Sequence, residues 1–291
     1  MSYELTPQQT RECQELSLEM FKFFHEFCKK HSLKHFVAGG CLIGAARDKK
    51  FIPWDDDVDV FMPREDYEKL IEIWNKESGS DRYILQVSKK GDLTKNLFAT
   101  INDSETTFIK TYQDDLDINH GIVLDILPID GCPVSKFKQF FQGICALVYA
   151  LYLIGEAPLN NGKLIEIIGR IMLFLLPSKS LRWKVASWCE KQMKKYPLGS
   201  TPFAKELVSG PRYIFRMLYS EDFREMDYLE FEDTRVPVMN GYDRYLSIAF
   251  GDYMTPPPPE GQVCHHELTY VDTKNSYKKY RGIYYFLGDK K

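Results

Sequence analysis

AGGCLIGAARDKKFIPWDDDVDVFMP, residues 38–63, is the stretch around which this chain is organised. Four aspartates, Asp55, Asp56, Asp57 and Asp59, fall within five residues. Charges crowded in this way are unfavourable unless a cation or several donors neutralise them. From Asp57 to Phe61 charged and apolar residues alternate, which predicts a short strand with its apolar side chains toward a core and both carboxylates on the other face. Residues two apart on a strand stand about 6.5–7 Å apart, so Asp57 and Asp59 can hold one or two oxygen-seeking cations between them. Magnesium is the natural candidate, with manganese as a substitute. Upstream, the apolar run Phe36-Val37-Ala38 leads into Gly39-Gly40, and Leu42 to Ala46 could open a helix. Bare backbone N–H groups at such a junction suit a phosphate. A phosphate cradle beside a metal-holding Asp pair describes phosphoryl or nucleotidyl transfer. An EF-hand reading of Asp55, Asp57 and Asp59 fails, because Val60 and Asp66 stand where the loop needs Gly and Glu.

The run GGCLIGAARDKKFIPWDDDVDVFMPREDYEKL closely resembles the LicD/fukutin-type branch of the nucleotidyltransferase fold. The resemblance continues in GIVLDILPIDG (Gly121–Gly131), YLEFEDTRVPV (Tyr228–Val238) and GYDRYLSIAFGDYMTPPP (Gly241–Pro258). It implies an α/β (α+β) fold, a nucleotidyltransferase-like mixed sheet flanked by helices. Residues 1–131 would be the catalytic core, 132–227 a helical insertion or subdomain, and 228–291 a segment completing the catalytic domain. Cys41 departs from the pattern, since Thr or Ser often follows the glycines in the family. A hydroxyl contact to phosphate is then missing while the backbone amides remain.

Composition sets the outer bounds. The 291 residues, 44% apolar and 27% charged, suit a globular protein with a substantial core. A net charge of −3 argues against a general nucleic-acid binder. Seven cysteines without a CxxC pair read as reduced thiols, and the N-terminus lacks the pattern of a secretory signal, which predicts a cytoplasmic protein.

Thr6-Pro7-Gln8-Gln9 is a capping-box-like helix start, and Leu16, Met20, Phe23 and Phe27 follow at helical spacing. His25 and His31 read as solvated residues without a role. Arg47 has two readings, a structural cation or a phosphate clamp, and Trp54 is either packing or a platform for a base or a quaternary ammonium. A helix from Pro63 buries Tyr67, Leu70, Ile71 and Trp74, and strands are predicted at 83–87, 97–101 and 106–110. Asp125 is a lone carboxylate within an otherwise apolar strand, His120 to Pro128, where a buried unpaired carboxylate would be costly. In the resembled fold a third carboxylate on a neighbouring strand completes the metal site, and Asp125 matches it as ligand, as base for the acceptor hydroxyl, or as both. His120 and Lys110 are weaker candidates.

Residues 139–155 and 171–176 are apolar. They read either as a buried helical hairpin or as a surface resting on the membrane, with Lys179, Arg182 and Lys184 nearby to meet anionic headgroups. Of His265, His266 and Glu267, adjacent residues share no face, so a metal pair is not expected. The resemblance implies that one histidine, taken as His266, contacts phosphate or acceptor.

Asp57, Asp59 and Asp125 are thus the expected catalytic and metal-holding residues. Gly39, Gly40, Cys41, Arg47, Trp54, Asp55, Asp56, His120 and His266 are the expected substrate contacts. The resemblance implies a CDP-alcohol donor, phosphocholine or a phosphopolyol as the group moved, and a sugar or lipid-linked glycan such as lipopolysaccharide or teichoic acid as acceptor. CMP would leave, at the inner face of the membrane. Transfer of the nucleotide itself with release of pyrophosphate, and an idle glycan-binding scaffold, are the two alternatives.

Overall fold

The computed structural model describes residues 3–158, 162–264 and 266–288. The chain opens on α1 (Pro7–Lys30), where Thr6 and Gln9 exchange the two hydrogen bonds of a capping box. There follow β1 (Phe36–Ala38), α2 (Gly39–Arg47), β2 (Val58–Pro63), α3 (Arg64–Glu77), β3 (Tyr83–Gln86), β4 (Ala99–Asp103), β5 (Thr107–Lys110) and β6 (Val123–Cys132). Three helices come next, α4 (Lys136–Ile154), α5 (Lys163–Leu175) and α6 (Lys179–Met193). The chain then runs through β7 (Phe203–Glu206), α7 (Pro211–Ile214), β8 (Leu218–Tyr219), β9 (Met226–Phe231), β10 (Thr234–Met239), α8 (Tyr242–Phe250) and β11 (Leu268–Asp272).

Seven strands form one mixed sheet in the order β1-β2-β6-β4-β3, with β7 also on β6 and β8 on β7. Helices flank it, as expected. β2 and β6 run parallel, in a register that sets Asp59 opposite Asp125. The stretch 132–227 is not helical throughout, because β7 pairs antiparallel with the end of β6, Ile129 facing Glu206 and Cys132 facing Phe203. From the C-terminal segment, β9 and β10 make a hairpin and β11 pairs with β5. All seven cysteines are free.

The apolar face of α1 differs from the predicted stripe. Met20 and Phe27 are buried, but Phe23 is 36% exposed, and Cys13, Phe21, Phe24 and Cys28 are buried as well. Arg11 and Lys22 pair with Glu232 and Asp233 at the β9–β10 turn, so α1 is covered from two sides and buries a wider arc than one stripe. His25 is not a solvated residue either: its Nδ1 lies 2.8 Å from His35 Nε2. His35 Nδ1 must donate to Leu33 O (3.1 Å), so the neutral ring accepts from His25. Burial pushes His35 down to about 4. A histidine whose folded value lies below its unfolded one stabilises the fold above the unfolded value, and that contribution is lost as pH falls. Melting temperature should therefore decline between about pH 6.5 and 4, by the equivalent of at most about 3 kcal/mol. His35→Gln should flatten this limb of the curve even where it lowers the plateau.

Among the described helices, α4 alone is long and apolar enough to cross a membrane, and it is only partly buried. Its inner face packs on α6, and buried Gln142 donates to Gly131 O and Met193 O. Its outer face carries Phe137 (79% exposed), Phe140, Phe141 and Ile144 at helical spacing. On α5, Leu164, Ile168, Ile171, Phe174 (82% exposed) and Leu175 are likewise exposed. The fully buried hairpin is thus corrected to one with an apolar outer face.

Candidate active site

The site is built where the β1–α2 turn meets the loop into β2. Gly39 has φ +55°, and a Cβ there would stand 2.5 Å from Asp59 Oδ2, while one on Gly40 would collide with Asp55 Oδ2. The glycines therefore give the backbone its turn and give two carboxylates their space. They begin α2 with no side chain capping its N–H groups, and both line a cleft of about 1000 Å³. Gln14 of α1 fixes the aspartate loop by donating to Ile52 O (3.1 Å) and Asp55 O (2.7 Å). β2 begins at Val58, one residue later than predicted, with Asp57 immediately before it.

One oxygen each of Asp57, Asp59 and Asp125 lie within 4.8 Å of one another. Asp125 Oδ1 and Asp55 Oδ2 are buried without a hydrogen-bond partner. Oxygen donors this close, two of the surrounding carboxylates with an unsatisfied oxygen, fit a divalent cation. Burial pushes Asp57 up to about 6, with Asp56 and Asp125 adding to the rise against the pull of His266. Burial and the neighbouring carboxylates raise Asp55 and Asp59 well above the usual range. Two cations stand beside this crowd. Lys110 Nζ is 3.5 Å from Asp125 Oδ2. Burial works to discharge it, and Asp125 overrides burial to hold it above its ordinary value. His266 Nδ1 lies 3.0 Å from Asp56 Oδ1, and its Nε2 3.6 Å from Asp57 Oδ2. Burial opposes protonation of this imidazole, but the aspartates carry it well above the usual histidine value. In return His266 holds Asp56 low in spite of burial.

The cleft is lined by Gly39, Gly40, Arg47, Trp54, Asp55, Asp56, Asp57, Asp59, Asp125 and His266, all of them sequence candidates. Arg47 is tethered there, donating to Asp48 Oδ2 and Tyr253 O. Two candidates are not brought to the cleft. Cys41 is 2% exposed and faces the core beneath the carboxylates, because the first turn of α2 presents glycines, and not its third residue, to the cleft. His120 is buried elsewhere, bonded to Leu116 O and packed 4.3 Å from the Tyr285 ring. His265 lies outside the described residues. Sequence reasoning placed Lys110 too low and missed Lys95, Tyr112, Tyr213 and Tyr253 on the cleft wall. The available signal for Lys110 was a lysine closing an apolar strand, the counterpart of the lone carboxylate at Asp125.

Residues 32–124, from the approach to β1 into β6, match the family described as LicD/FKTN/FKRP, nucleotidyltransferase domain. Over this segment the chain is similar to LicD-type nucleotidyltransferase domains. The matched segment contains the glycine turn, Asp57, Asp59 and Lys110; Asp125 follows its last residue, and His266 reaches it from the far end of the chain. Over 272 residues, 88% of this chain and 95% of the relative, the sequence is 27% identical to the lipopolysaccharide cholinephosphotransferase LicD of Haemophilus influenzae. An uncharacterized protein of Rickettsia prowazekii is 36% identical over 55 residues, 19% of this chain and 21% of that one. One from Rickettsia typhi is 39% identical over 48 residues, 16% of each.

Proposed function

We propose that this enzyme is a magnesium-dependent phosphotransferase, with manganese able to substitute. It would move a phospho-alcohol, phosphocholine first among them, from a CDP-activated donor to a sugar hydroxyl of a cell-surface glycan. The observation that carries this reading is the convergence of Asp57, Asp59 and Asp125 on the wall of a large cleft beside an uncapped helix start. The alignment over 95% of a lipopolysaccharide cholinephosphotransferase supports the substrate class.

A bound divalent cation would neutralise charge on the diphosphate and its leaving oxygen. The chain's own groups account for the rest. Gly39 and Gly40 N–H donate to a phosphate oxygen, Trp54 and Arg47 border the cleft, and Lys110 orients Asp125 through one oxygen while leaving the other free. The acceptor hydroxyl oxygen attacks the phosphorus that bears the alcohol, its proton passing to Asp125 or a neighbouring carboxylate. The bond to the bridging oxygen breaks and CMP departs. Thermal melting tests the donor. CDP-choline with magnesium, at 100 times its dissociation constant, should add about 2.7 kcal/mol, beyond what CTP adds. Stabilisation by CTP or ATP alone would favour nucleotide transfer, and no shift with any nucleotide would favour the idle scaffold.

The acceptor reading places the protein at the cytoplasmic face of a membrane, in keeping with seven free cysteines. Between Lys136 and Lys195 the chain carries ten Lys or Arg and three Asp or Glu, against 38 and 41 overall. A basic segment with apolar stripes on α4 and α5 suits an anionic bilayer. Ile154, ending α4, lines the catalytic cleft, so a membrane-bound glycan would meet the site from this side. Flotation with phosphatidylglycerol vesicles should recover the protein in a salt-sensitive manner, and Phe137→Glu with Phe174→Glu should reduce recovery about tenfold or more. A soluble dimer broken by the same substitutions would show instead that a second copy covers the face.

A further inference from the structure

Beside the catalytic cleft lies a smaller cavity of about 190 Å³ that shares Gly39, Asp59, Leu127, Ser209, Tyr213 and Phe250 with it. Glu206, 5% exposed at the end of β7, lines this cavity. One carboxylate oxygen accepts from the N–H groups of Val208 (2.5 Å) and Ser209 (2.7 Å), while the other, Oε2, is buried with no hydrogen-bond partner. Burial pushes this carboxyl up to about 7, against the hydrogen bonds from Val208 and Ser209 that favour its charged form. Arg216 also lines the cavity, but its guanidinium lies 4.7 Å from the Tyr213 ring centroid and donates to Ala249 O. The remaining wall is largely carbon, from Ala38, Phe61, Leu127, Leu218, Ala249 and the ring of Tyr245.

We infer that this cavity seats a quaternary ammonium group, the alcohol end of the donor, with Glu206 as its counter-charge and the rings of Tyr213, Tyr245 and Phe250 as its walls. A primary ammonium brings three N–H donors that need acceptors, whereas a trimethylammonium asks only for negative charge and aromatic faces. Size agrees, since an apolar cavity of roughly 150 Å³ already accommodates benzene. Continuity with the cleft at Gly39 and Asp59 puts the ammonium one short arm away from the phosphate position. The inference rests on the CDP-alcohol reading, which it narrows to choline-like alcohols.

Calorimetric titration of the full chain in magnesium with CDP-choline, CDP-glycerol and CMP tests it. CDP-choline should bind about tenfold or more tightly than CDP-glycerol. Glu206→Gln keeps the acceptor for Val208 and Ser209, and it should erase that preference while leaving CDP-glycerol and CMP within about twofold of wild type. Tyr213→Leu should weaken CDP-choline alone. Equal binding of the two CDP-alcohols by wild type would overturn the assignment, as would a Glu206→Gln loss shared equally by all three ligands with Tyr213→Leu silent. If no cytidine nucleotide binds, the donor reading fails. Tetramethylammonium then decides the cavity: heat of binding that Glu206→Gln abolishes supports it, and no heat refutes it.

Discussion

Asp59→Asn should lower turnover on the order of 10³-fold while leaving the metal-free protein as stable as wild type or more so at pH 7. The two effects have one cause. Asp59 lies opposite Asp125 across β2 and β6, under Gly39, where burial together with Asp57, Asp125 and Asp55 raises its carboxyl well above the usual range. A carboxyl whose folded value exceeds its unfolded value binds its proton more tightly when folded. Its contribution to stability is therefore full below about pH 4 and is lost as pH rises through the folded value. At pH 7 keeping this acidic group buried among other carboxylates is a burden on the metal-free fold, and Asn removes it without changing the shape. Magnesium, in turn, should raise the melting temperature of wild type and raise that of Asp59→Asn far less. A variant that unfolds would mean that Asp59 holds structure, and one that keeps its turnover would remove it from the site.

Arg64→Met should cost about 3–5 kcal/mol, a large part of a typical domain's stability. Arg64 opens α3 directly after β2, and its fork meets Asp130 on β6 at 2.9 and 2.6 Å, with Asp130 fully buried. Loss of the guanidinium strands a buried carboxylate, which is the expensive half of the exchange. Asp130→Asn in the Arg64→Met background should recover much of the loss, so a double-mutant cycle by urea unfolding should return a coupling of about 2 kcal/mol or more. The pair also ties β2 to β6, the strands whose register aligns Asp59 with Asp125. Additive single and double variants would show that the pair is not a unit.

The core of the site was legible because it is written locally. Asp57 and Asp59 share a face by strand periodicity, and Asp125 stands out as a lone charge in an apolar strand. Gly39 and Gly40 mark a turn that nothing larger can make, given the carboxylates behind them. What escaped is set by long-range packing. Cys41 follows the glycines in sequence, yet the first turn of α2 directs it into the core. His120 precedes the Asp125 strand, yet the C-terminal Tyr285 claims it. β7 has four residues with Lys205 and Glu206 in its middle and end, so no periodicity announces it. It exists because the end of β6 offers an edge to pair with. Lys110 and His266 gain their meaning only when β11 lies on β5, which brings two cations to a crowd of aspartates.

The most direct test of phospho-alcohol transfer is product analysis by phosphorus NMR. Purified protein would be incubated with magnesium, CDP-choline and a lipopolysaccharide oligosaccharide, with CTP in place of CDP-choline as a parallel reaction. The expected result is stoichiometric CMP and phosphocholine in diester linkage to the sugar, absent with Asp59→Asn, and no turnover of CTP. Release of free phosphocholine with CMP left on the acceptor, or pyrophosphate from CTP, would contradict it, because attack would then have fallen on the nucleotide's own phosphorus.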